Sequence, residues 1–143
     1  MEEALRAYLL GSSGLTALVS TRVQWGTLAQ SVDYPAVVLT RIDGLPDYAM
    51  DGPTGLVSSR IQADCWGETY AAAKAVARQV KARISGVDTV VDDGGSPPVV
   101  LGALRGGFIE GERDSFEVGV GAAGLSSVRL FRVSLDFIIW HSE

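Results

Sequence analysis

RIQADCWGETYAAAKAVARQV, residues 60–80, changes its period in mid-stretch. As far as Trp66, Ile61, Ala63 and Cys65 alternate with Arg60, Gln62 and Asp64, and Val57 and Ser58 extend the two sets backwards. Alternation of this kind is a strand with one buried face. Beyond Gly67 the period becomes helical: Ala73, Val76, Ala77, Val80 and Ile84 fall on one stripe, Thr69 stands at the N-cap, and Ser85-Gly86 is a stop signal. A strand that runs straight into an amphipathic helix lays that helix back on the sheet.

The last part of the chain gives the clearest strand. Across 127–140, Phe131, Val133, Leu135, Phe137 and Ile139 share one face and Arg132, Ser134 and Asp136 the other, so this strand is expected to be long and central. Upstream, Pro35 suits the first position of a strand, and an apolar run follows over 36–42. Residues 2–10 place Leu5, Tyr8 and Leu9 at helical spacing, with Glu2 and Glu3 at the favourable end and Gly11 as a stop. Ser13 is placed to cap a further turn or two carrying Leu15, Leu18 and Val19, and 22–26 reads as a brief extended piece. Residues 87–98 read as a turn, and 99–109 as an extended piece with a bulge at Gly106-Gly107. The expected fold is α+β: a mainly antiparallel β-sheet with one long helix packed on it and a short N-terminal helix, with 1–143 as one domain.

Two segments read as exposed loops with adhesive side chains. GLPDYAMDGPTG, 44–55, is punctuated by glycine and proline yet carries Leu45, Tyr48 and Met50 beside Asp47 and Asp51. The second, 110–126, sets Phe116 and Val118 among Glu110, Glu112, Arg113 and Glu117. Apolar residues ringed by charge in a loop are what a docking patch looks like, so these eleven residues are the candidate partner contacts. On the helix, Lys74, Arg78 and Lys81 line one flank of the apolar stripe. That flank is either solvated or a docking stripe for an acidic neighbour, which the acid-rich second part of this same chain supplies, and it is the candidate subunit contact through which one copy meets another.

Little else in the chain offers chemistry. One histidine and one cysteine cannot supply a zinc site by themselves, and the carboxylates of 110–117 lack the loop spacing of a calcium hand; no metal, cofactor or catalytic residue is expected. Gly119, Gly121 and Gly124 fit the dinucleotide pattern, but a strand-like run follows where a helix is needed. Residues 1–85 balance eight acids with eight bases, whereas 86–143 hold nine acids and four bases. The net charge of −5 argues against a sequence-reading nucleic-acid binder, although acidic walls suit a passage along which DNA slides. An acidic N-terminus and the lack of a long apolar run predict neither a secretory signal nor a membrane span.

R-V-x-W-G at Arg22, Val23, Trp25 and Gly26, YPAVVL at 34–39, RIQADCW at 60–66 with the helix after it, and RVSLDFIIWH at 132–141 together resemble the tail-completion or tail-terminator proteins of long-tailed bacteriophages, which gene transfer agents and prophages also encode. The resemblance spans nearly the whole chain. It implies a non-enzymatic virion protein of the tail neck, assembled in the bacterial cytoplasm as a six-membered ring on the head-proximal end of the tail tube. Its partners are other copies, the tail tube protein and a head-closure protein, with DNA passing through the hole unread and no membrane involved. The two exposed segments are then expected to make the contacts along the tail axis. A head-tail connector or stopper of the same particle, and a small cytoplasmic ligand-binding or regulatory domain, are the alternative readings.

Overall fold

The computed structural model describes residues 1–28, 33–120 and 127–143, and for 118–120 and 127–128 the backbone only. In chain order the elements are α1 (Glu2–Leu10), α2 (Ser13–Val19), β1 (Val23–Trp25), β2 (Ala36–Ala49), β3 (Gly52–Gly67), α3 (Tyr70–Ile84), β4 (Thr89–Asp92), β5 (Val100–Val120) and β6 (Ser127–Ser142). The six strands form one sheet in the order β1-β2-β3-β6-β5-β4. The α+β class and the central last strand follow the sequence reading, but the sheet is mixed: β1 runs parallel to β2, as Val23 opposite Val37 shows, while the other pairs are antiparallel.

Three helices, rather than one long and one short, cover a single face of this sheet. Their apolar stripes meet the alternating set of β3 and β6 in one buried cluster that includes Leu5, Leu9, Leu15, Val76, Val80, Ile61, Ala63, Leu135 and Phe137. Burying each large side chain of this kind stabilises the fold by roughly 1.5–3 kcal/mol relative to leaving it in water. Thr69 caps α3 through its hydroxyl, which accepts the Ala72 N–H, and the α3 stripe is the one expected from the spacing. The cap of α2 is Ser12 and not Ser13: the Ser12 hydroxyl accepts the Leu15 N–H.

Segment 87–98 holds the short strand β4 as well as a turn, because Thr89–Asp92 pairs with β5 from Leu104 down to Val100. The bulge expected at Gly106-Gly107 falls one residue earlier, where the β5–β6 register shifts between Leu104 and Gly106. Gly107 itself has a different duty. A Cβ there would overlap the Ile84 carbonyl oxygen at the end of α3, and the Gly107 carbonyl accepts the Gly86 N–H at 3.0 Å. Glycine lets the helix end and the sheet touch backbone to backbone.

Candidate functional site

The segments read as loops, 44–55 and most of 110–126, are strand. Residues 121–126, with Gly121 and Gly124 among them, lie outside the described residues, and Gly119 stands in β5 ahead of strand β6 rather than a helix. β3 pairs with β6 from Leu56 opposite Ser142 to Gly67 opposite Phe131. Past the first row β2 and β3 continue alone to the turn at Met50-Asp51; past the second, β5 and β6 continue alone to Val120 opposite Ser127. The two hairpin arms therefore project from opposite ends of the sheet. At ~3.3 Å per residue each extends about 10–15 Å past the last β3–β6 row.

The arms differ in chemistry. On the β2–β3 arm Leu45 is 65% exposed, Tyr48 69% and Met50 fully, with no lysine or arginine between 42 and 59. Asp51 projects at the tip, and Asp47 accepts the Thr54 hydroxyl at 2.9 Å. At the root of the β5–β6 arm an exposed aromatic cluster gathers where α3 begins. Tyr70 meets Phe131 edge to face with ring centres 6.3 Å apart, and Phe116 lies 6.5 Å from Phe131. Val118 is paired with Arg129 through the backbone; its side chain is outside the description.

Beside that cluster, β5 and α3 are laced together. Glu112 accepts Lys74 Nζ and Lys81 Nζ at 2.6 Å each, Lys74 also reaches Asp114 at 2.9 Å, and the Tyr70 hydroxyl donates to Asp114 at 2.8 Å. The hydrogen bond from Lys74, then that from Lys81, holds the Glu112 carboxyl below its ordinary range, and Asp114 is lowered by Lys74 first and Tyr70 second. The Tyr70 hydroxyl is correspondingly raised by its bond to Asp114. Of the three cations on the helix flank, Lys74 and Lys81 thus meet acids of their own chain. Arg78 stays exposed with no partner among the described residues.

No helix among the described residues covers the opposite face of the sheet, where arginines pair with carboxylates of other strands. Arg60 meets Glu110 at 3.0 Å, Arg113 meets Asp136 at 3.2 Å and Arg132 meets Glu117 at 3.5 Å. A shallow depression of about 400 Å³ lies there, lined by Ile42, Arg60, Gln62, Glu110, Gly111, Arg113 and Asp136. The candidate residues of 110–117 are accordingly split: Glu112 and Phe116 face the helices, whereas Glu110, Arg113 and Glu117 face the open side.

His141 and Cys65 are core residues. The Ser142 carbonyl can only accept, so His141 Nδ1 carries the proton and Nε2 accepts the Ser59 hydroxyl, both at 2.9 Å. Burial holds this imidazole below its usual pKa and raises the Cys65 thiol. Among the described residues no group of histidine, cysteine and carboxylate side chains could hold a metal, and no helix is long and apolar enough to cross a membrane. Sequence reasoning placed Phe131 on the apolar face of the last strand and named neither Tyr70 nor Arg129. An aromatic at the first position of an otherwise alanine-rich and basic helix was the available signal.

What these elements define is a rigid sheet with exposed arms and paired charges, the form of an assembly protein. Across residues 3–142 the chain matches the family model described as tail completion protein gp17, and it belongs to that family of phage tail structural proteins. A chain in the virion of a native gene transfer agent particle shares the fold at a TM-score of 0.64 and 19% identity, over 100% of this chain and 95% of that one. No curated protein sequence matches.

Proposed function

We propose that the protein forms a closed ring, a hexamer, on the head-proximal end of the tail tube, where it stops tube growth and joins the tail to the head-closure protein while DNA passes through the hole. Membership of the tail completion family supports a tail role, and the likeness to a chain of a gene transfer agent virion supports a particle setting. The observation that carries the reading further is the pair of arms at opposite ends of one sheet. A ring subunit whose two ends differ in chemistry can match the repeating tube interface on one side only, and a polymer stops where the next match is missing. The exposed residues of the arms, Leu45, Tyr48, Met50 and Phe116 with the acids beside them, are the surfaces proposed to meet neighbouring subunits, of the ring or of the tube. Arg78 is the member of the helix flank left for a neighbouring subunit.

Purified protein mixed with polymerising tube subunits is expected to give tubes of limited length with ring density at one end. Tubes that grow on unchanged, with no density at either end, overturn the proposal. Capture by portal-side proteins in place of tube protein would favour the connector alternative.

A further inference from the structure

Ten of the twelve lysine and arginine side chains hold a carboxylate or a backbone carbonyl of their own chain. Among the described residues the two without a partner are Arg78 and Arg129, both exposed and both on the helix-bearing side. Arg129 sits one pleat from Phe131 on the arm strand; Arg78 lies two helical turns along α3 from Tyr70. Between them is the aromatic cluster, with Phe116 62% and Tyr70 49% exposed. Asp114 and Glu117 nearby are already neutralised by Lys74 and Arg132. The surface thus offers aromatic faces between two free guanidinium groups, a seat for an apolar segment that carries negative charge.

One segment of that chemistry is on the molecule itself. The β2–β3 arm presents Leu45, Tyr48 and Met50 with Asp47 and Asp51 and no basic residue, and it projects from the other end of the sheet, where it cannot reach the seat of its own chain. We infer that the β2–β3 arm of one copy docks in the Tyr70–Phe116–Phe131 seat of the next copy, with Asp47 and Asp51 meeting Arg78 and Arg129. Because arm and seat are different surfaces, the contact is head to tail and not two-fold, and it closes into a ring when the rotation between copies is right. The inference rests on the ring reading and names the surfaces that join its subunits.

Cys65 is buried, so introduced cysteines report cleanly. In assembled rings the double variant Met50→Cys/Phe116→Cys is expected to cross-link with a short bismaleimide into a ladder that ends at the ring size, while each single variant stays monomeric. Asp51→Arg and Arg129→Asp are each expected to weaken ring formation about tenfold with unchanged melting, and the two together to restore it. Rings that form normally with no ladder, or charge reversals without effect, overturn the inference and leave the ring reading intact. Cross-linked dimers from the Met50→Cys single variant indicate a two-fold contact and overturn it as well. Absence of rings in the unmodified protein overturns both.

Discussion

β6 carries two faces of opposite fate. On one, Val133, Leu135, Phe137 and Ile139 are sealed beneath the helices; on the other, Arg132, Asp136, Ile138 and Trp140 are only partly covered, with Arg132 and Asp136 in ion pairs to β5. Neighbouring residues one position apart therefore belong to different regimes. The covered face sets stability through burial, whereas the open face and the arms contribute little to the fold and are free to be shaped by partners.

The sharpest test sets two neighbours against each other. Phe137→Ala removes the largest fully buried side chain and is expected to cost about 3–5 kcal/mol, enough to abolish much of a small domain's stability. Ile138→Ala, on the partly covered side, is expected to cost about 1 kcal/mol or less. Equal costs in urea unfolding would break the comparison. Next comes Gly107→Ala, where the added methyl meets the Ile84 carbonyl; a loss of about 1–3 kcal/mol is expected, against little change for Gly111→Ala, whose Cβ would enter open space.

Smaller effects sharpen the border between the regimes. Glu112→Gln removes the charge that Lys74 and Lys81 share on β5 while Lys74 keeps Asp114 and, because the carboxylate is partly exposed, is expected to cost under about 1 kcal/mol at neutral pH. Since the folded Glu112 pKa lies below its usual value of 4.5, this contribution is present above that value and lost as pH falls through the folded pKa; the difference between wild type and variant should shrink there. His141 works on the covered side. Its folded pKa is depressed below 6.5, so the unfolded chain binds more protons in the window just beneath that value and stability falls as the solution is acidified through it. His141→Gln is expected to flatten that part of the pH profile, as thermal melting between pH 5 and 7 would show.

The covered face was legible because its causes are local: alternation in β3 and β6 and the stripe of α3 predict Ile61, Ala73, Val80, Leu135 and Phe137 as core, and all are buried. The arms were read as loops for a physical reason. A two-stranded arm has solvent on both faces, so no apolar period marks it, and an outer strand without a second neighbour tolerates Pro46, which would be excluded from a central position. In 110–117 the acids that resemble a solvated loop face cations on α3, β3 and β6 instead, contacts that depend on residues 15 to 50 positions away and leave no local trace. The same distance hid which acids of the second part, Glu112 and Asp114, meet Lys74 and Lys81. β4 escaped notice because four residues are too few to show a period.

The central pairing also governs how the chain reaches this state. Leu39 and Ala63 lie 24 residues apart in the β2–β3 hairpin and Glu112 and Leu135 23 apart in the β5–β6 hairpin, but Ala63 and Leu135, which join the two, are 72 apart. Local hairpins form in ~1–10 μs, whereas sheets that depend on such distant pairing fold on the order of milliseconds to seconds. The slow event is the closing of β3 on β6, which also brings Phe137 under α3. Until it happens the chain is two ribbons with the edges of β3 and β6 bare, and that is the species most open to mispairing with another nascent copy.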